Sequence, residues 1–101
     1  MKIRKLNILG KKIKVFAGKD RSNNPLLKSN AVGLTNLSYG EIHVSMKQGK
    51  DQQKDTLLHE VIHVIDRDLT LKFDEEQVHR LACALYQTLK ENKEFTKWLI
   101  K

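Results

Sequence analysis

Disulfide chemistry is excluded at once, because Cys83 is the only cysteine in the chain; a zinc site built from several cysteines is excluded with it. Proline is almost absent too: Pro25 stands alone, and long stretches carry no helix breaker. No apolar run reaches the length of a membrane span. The first twenty residues interrupt their apolar positions with Lys2, Arg4, Lys5, Lys11, Lys12 and Lys14, which leaves no h-region of a signal peptide. A cytoplasmic protein with no membrane partner is the expectation.

Acidic residues are scarce in the first half. Residues 1–50 hold 11 Lys/Arg against only Asp20 and Glu41, while residues 51–101 hold eight against ten, which together give the net charge of +7. Such a half can steer an acidic partner, nucleic acid included. No aromatic interleaving or DNA-binding motif accompanies the charge, so a lysine-rich, solvated strand face is the simpler reading.

What is present fits one α+β domain over residues 1–101, since 101 residues leave room for little more. Residues 1–48 are strand-rich. Ile3, Leu6 and Ile8 precede Leu9-Gly10, and Ile13 and Val15 follow, which predicts a hairpin around Gly10. Residues 18–30 have loop composition, with room for one short helical turn. Residues 31–35 and 41–45 predict a second strand pair, the latter alternating cleanly with Ile42 and Val44 on one face. The expected sheet is short, twisted and mostly antiparallel, with three or four strands packed on two or three helices.

Residues 51–69 contain neither Gly nor Pro, and Leu57, Leu58, Val61, Ile62, Val64, Ile65 and Leu69 cover most of a helical circumference. A helix so apolar should run through the middle of the domain. A second helix, 74–91, starts at an Asp74/Gln77 cap and carries the stripe Val78, Leu81, Ala82, Leu85, Leu89. Residues 94–100 predict a terminal helix anchored in the core by Trp98. Cys83 reads as a small buried hydrophobe.

The chemistry lies in His59-Glu60-Val61-Ile62-His63, an H-E-x-x-H pattern. On a helix, His59 and His63 stand one turn apart on one face, where both imidazoles reach a single ion. Glu60 is rotated by about 100° from His59 and is poorly placed as a third ligand. It is well placed to hydrogen-bond a water activated by that ion and to carry its proton. In an apolar helix, two histidines and a glutamate would be costly to bury without such a purpose.

A catalytic zinc takes three protein ligands and keeps one open position. A short turn would fold the second helix back antiparallel, and its first turns offer Glu75, Glu76 and His79. Glu75 extends the apolar stripe toward the core and is the preferred third ligand; Glu76 is turned about a quarter-turn away. Asp66, nearly on the face of His63, could fix a histidine tautomer or simply bond a loop. His79 is a candidate to stabilise an oxyanion, with His43 and Tyr39 as weaker ones.

The stretch Thr56-Leu57-Leu58-His59-Glu60-Val61-Ile62-His63, followed by Glu75-x-x-Val78-x-x-Leu81-Ala82, resembles the small gluzincin metallopeptidases of the ImmA/IrrE class and their short phage-encoded relatives. The resemblance covers about residues 40–90. It implies a short sheet packed on two helices in a minimal zincin architecture, one Zn²⁺ per chain and hydrolysis of peptide bonds in a protein substrate. It maps the third ligand onto Glu75 and suggests that the strand carrying Ile42, His43 and Val44 pairs with the extended substrate. The competing expectation is a zinc-stabilised module that binds protein or nucleic acid through its basic half without cleaving anything.

Overall fold

Two consecutive residues with left-handed backbone angles, Leu9 (φ 48°) and Gly10 (φ 82°), reverse the chain between the first two strands. They join β1 (Lys5–Ile8) to β2 (Lys11–Gly18) in an antiparallel pair with Leu6 opposite Ile13. The computed structural model describes residues 1–18 and 32–101. The loop expected over 18–30 therefore lies, but for Gly18, outside the described residues. β3 (Gly33–Asn36) and β4 (Glu41–Ser45) form the second antiparallel pair, with Thr35 opposite Ile42. β4 also pairs with β2, in parallel, with Ile42 opposite Val15. The described sheet is thus four-stranded and mixed, in the order β1-β2-β4-β3.

Period-two alternation puts Ile8, Ile13, Val15, Ile42 and Val44 on one face, where they bury against Leu57 and Val64 of the first helix, α1 (Lys50–Leu69). The opposite face carries exposed Lys5, Lys12 and Lys14, with Lys5 directly across from Lys14. Lys11 instead reaches Asp68 of α1 at 2.6 Å. Three of the basic residues of the N-terminal half therefore decorate the sheet face turned away from α1.

α1 has a second apolar side. Ile62, supported by Leu58, meets Val78 and Ala82 of α2 (Glu75–Glu91), and Phe73 closes the end of that contact. The layers run sheet, α1, α2, and α1 lies in the middle as its apolar circumference demands. The α2 start is the expected one. Asp74 accepts from the Gln77 backbone N–H at 2.7 Å, and Gln77 Oε1 accepts from the Asp74 N–H at 2.9 Å, a complete capping box. Asp74→Ala should lower stability by about 1 kcal/mol, read as a lower urea midpoint with an unchanged slope.

Three expectations are corrected. β4 is an interior strand, flanked by β2 and β3, so Ile42, His43 and Val44 are buried and cannot pair with a substrate. The last helix, α3 (Lys93–Leu99), has no buried residue and among the described elements packs on α2 alone, leaving Trp98 71% exposed rather than anchored in the core. Cys83 is exposed, because the α2 stripe that meets α1 runs through Val78 and Ala82, and Cys83 falls beside it.

Candidate metal centre

α1 and α2 run antiparallel, and their polar contacts form a ladder along one edge of the seam. Tyr86 Oη donates to Asp51 Oδ1 at 2.7 Å. One turn along, Cys83 Sγ lies 3.6 Å from Asp55 Oδ2. Two further turns bring His59 and His63 against Glu75, and Asp66 Oδ1 ends the ladder by accepting the Phe73 backbone N–H at 3.1 Å. Successive rungs advance along α1 by about a turn while the partners run back from Tyr86 through Cys83 to Glu75, as two antiparallel helices of 3.6 residues per turn require. Asp66 thus holds the interhelical connection; of its two expected roles, bonding a loop is the one observed.

At the third and fourth rungs, donor atoms converge. His59 Nε2 and His63 Nε2 are 3.1 Å apart. Glu75 Oε1 lies 2.6 Å from His59 Nε2, and Glu75 Oε2 lies 3.0 Å from His63 Nε2. A tetrahedral zinc with bonds of about 2.0–2.2 Å holds its ligand atoms roughly 3.3 Å apart. Two of the three separations are within a few tenths of an ångström of that size and the His59–Glu75 one is shorter by about 0.7 Å, a hydrogen-bonded spacing that the ion would widen; the donor set is the one such an ion takes, so the residues fit the metal. Burial pushes the Glu75 carboxyl up, but hydrogen bonding from His59 and the charges of His63 and His59 outweigh it and hold the group below the ordinary carboxylate range. Glu76 turns outward and pairs with Arg80 at 3.1 Å. Between the two candidate acids, only Glu75 reaches the histidines.

Glu60 is buried beside this triangle, 6% exposed, on the α1 flank facing the sheet. Thr35 Oγ1 of β3 donates to its Oε1 at 2.8 Å. Desolvation is the main influence on this carboxyl and pushes it up; the Thr35 hydrogen bond and the two histidines pull it down without cancelling the shift. Donor atoms of His59, Glu60 and His63 all lie within 4.8 Å of one another, close enough for one water to touch both the carboxylate and the imidazoles.

Gly33 lets β3 come this close. A Cβ there would stand 2.5 Å from Thr56 Cγ2 and 3.0 Å from Glu60 Oε2. Thr56 cannot yield cheaply, being buried and donating to Gln48 Oε1 at 3.0 Å. Gly33→Ala should cost roughly 1–3 kcal/mol of stability, measured by urea unfolding, since β3 must move off α1. Sequence reasoning did not single out Gly33 or Thr35. A glycine inside a strand signals close backbone approach, whereas nothing local marks Thr35.

The open side of the site is a cleft of about 390 Å³, lined by Gly33, Leu34 and Thr35 of β3 and by Glu60, His63, Arg67 and Glu75. Among the described residues β3 is the edge of the sheet on this side. The strand beside the cleft is therefore β3, not β4. His43 lies on the sheet face away from α1, stacked on Phe16 at 4.9 Å, and Tyr39 is exposed in the β3–β4 turn; neither approaches the triangle. His79 stands nearer, its ring 6.1 Å from that of His59, but its Nε2 contact is Cys83 Sγ at 3.9 Å. That contact draws it toward the second rung rather than over the triangle.

Compared with protein-family models, curated proteins and solved structures, the chain matches none. No helix among the described residues is long and apolar enough to cross a membrane.

Proposed function

We propose that the chain is a zinc-dependent peptidase in which His59, His63 and Glu75 hold one ion and Glu60 moves the proton. The observation that carries this reading is the triangle of two imidazole nitrogens and one bidentate carboxylate, each pair 2.6–3.1 Å apart, with a buried second carboxylate beside it. When bound, the ion supplies Lewis-acid chemistry toward a peptide carbonyl and makes water acidic enough to react near neutral pH.

The other parts belong to the chain. Glu60 takes the proton of the attacking water and returns it to the leaving amine. Thr35 fixes one carboxylate oxygen, so the other is directed by the rest of the site. Burial makes the carboxyl a weaker acid than an ordinary glutamate, which suits a group that must both accept and release a proton. The β3 edge offers backbone groups to an extended substrate, which would add as one more strand and cross the triangle. Asp74 and Gln77 fix the first turn of α2 and with it the carboxylate of Glu75.

The reading accords with the resemblance to small gluzincins of the ImmA/IrrE class. Its test is the full chain loaded with one equivalent of zinc and incubated with a mixed peptide library, the products being read by mass spectrometry. Cleavage that needs zinc and stops on chelation supports the reading. No cleavage of any library peptide by the loaded chain, at enzyme concentrations that detect one turnover, opposes it.

A further inference from the structure

The face of α1 that buries Leu57 and Val64 against the sheet does not stay apolar toward its start. One and two turns before Leu57 it carries Lys54, Gln53 and Lys50 instead. This stretch borders a cavity of about 460 Å³, closed on its other side by residues 1–3 and Met46. We propose that the cavity binds a small amphiphilic anion, an alkyl-chain carboxylate, with its chain on the apolar wall and its charge among the lysines. The proposal does not rest on the peptidase reading, because no residue lining this cavity lines the cleft at the metal centre.

Two chemistries meet in the lining. Met1, Ile3, Met46 and Leu57 form the apolar wall, of which Met1 and Ile3 are left 39% and 42% exposed. Methionine is unbranched and polarizable, so two of these four side chains adapt readily to an alkyl chain. Lys2, Lys50 and Lys54 supply the charge, and no acidic residue stands among the described residues of the lining. A cavity of this size, apolar but for a few polar groups, has the usual form of a small-molecule site.

The lysines stand where the fold itself gains nothing from them. Lys50 and Lys54 are four residues apart on one helix, where like charges repel, and both lie near its N-terminal end, where the helix dipole disfavours cations. Asp51 adjoins Lys50 in the chain, but its carboxylate is taken up by Tyr86 at 2.7 Å and Lys90 at 3.2 Å on α2. None of Lys2, Lys50 and Lys54 forms an ion pair among the described residues. The segment opposite brings no compensation, since residues 1–18 hold six Lys/Arg and no acid. A bound anion offsets this repulsion, whereas a neutral or cationic amphiphile does not. Phosphate or sulfate alone would leave the apolar wall uncovered, so the occupant that matches both halves of the lining is a carboxylate with an alkyl chain.

Met1 and Met46 are the only methionines of the chain and both line the cavity, so NMR of the methyl-labelled full chain reads this site and no other. The probe is octanoate, titrated without zinc and below the concentration at which it forms micelles. The expected result is a saturable shift of both methyl resonances. Acetate, which has the charge without the chain, should move neither. Octanol and octyltrimethylammonium should bind at least about tenfold more weakly than octanoate, the loss of one charge-assisted contact. The double variant Lys50→Gln/Lys54→Gln should weaken octanoate by a similar factor while unfolding no earlier in urea than the parent, because it removes a repulsion. Methyl resonances that stay in place throughout the octanoate titration would overturn the proposal. So would equal affinity for octyltrimethylammonium, or an octanoate affinity unchanged in the lysine variant, either of which would reveal an apolar surface indifferent to charge.

Discussion

Glu60→Gln should retain zinc at the His59–His63–Glu75 triangle with unchanged stoichiometry and lose peptide hydrolysis by roughly 10³-fold in kcat, within the range a positioned acid–base group contributes. The amide keeps nearly the same shape and can still meet Thr35, whose hydroxyl lies 2.8 Å from Oε1. What it cannot do is accept a proton. The variant is also expected to be more stable than the parent, because burying a neutral amide avoids desolvating a charge at a position only 6% exposed. The pH profile gives a second readout. Only the ionised carboxylate can take the proton, so kcat/KM should rise about tenfold per pH unit below the Glu60 pKa and level off above it. Burial raises that pKa in the metal-free chain and a bound cation opposes the shift, so the readout is the limb itself, present in the parent and missing from the residual activity of Glu60→Gln. A Glu60→Gln variant as active as the parent would remove the enzymatic reading altogether.

Zinc should also be a structural cross-link. A ligand bound only by the folded state stabilises it by RT ln(1 + [L]/Kd), about 4 kcal/mol at a thousandfold excess over Kd. In a domain of this size that corresponds to a rise in Tm of more than ten degrees at roughly 4–8 °C per kcal/mol. The measurement belongs in the Cys83→Ser background, where the second rung has lost its thiol. There, His63→Ala or Glu75→Ala should cut the zinc-induced rise to a small residue, while Glu76→Ala should leave it intact, because Glu76 turns outward to Arg80. A Tm unmoved by zinc in the Cys83→Ser chain, or moved equally in the Glu75→Ala variant, would contradict the ligand assignment. The metal-free form of the Glu75 variant should lose little stability, since that carboxylate is 72% exposed and ion pairs in water contribute little.

How much of this site could be read without coordinates depends on how local each part is. His59, Glu60 and His63 share one helical turn and a little more, and their mutual placement follows from 3.6 residues per turn once the segment is helical. Glu75 was within reach because a short connection folds α2 back and its apolar stripe fixes which side meets α1. Thr35 and Gly33 were not. Both come from a strand about 25 residues upstream, and their importance arises where β3 lies against Glu60. Asp55 is similar: on the helix it is an ordinary acid four residues before His59, and only α2 brings the Cys83 thiol to it.

The error over β4 has the same origin. Ile42 and Val44 alternate as a strand with one buried face should, yet His43 between them is buried too. Alternation says which residues share a face and is silent on which strands lie alongside. The parallel pairing of β2 with β4 places β4 inside the sheet and leaves β3 at the edge among the described residues.

The sequence alone therefore determined what is periodic and close in chain order: the helices and the capping box at Asp74, the strand faces, and the paired imidazoles with their neighbouring carboxylate. These depend on backbone geometry that repeats every few residues, so spacing is enough to fix them. Tertiary structure decided which strand borders the cleft, what holds Glu60, whether Trp98 and Cys83 are covered, and which groups meet across the α1–α2 seam. Those outcomes depend on packing between segments far apart in the chain, where a side chain's surroundings are set by the partner element and not by its own neighbours in sequence.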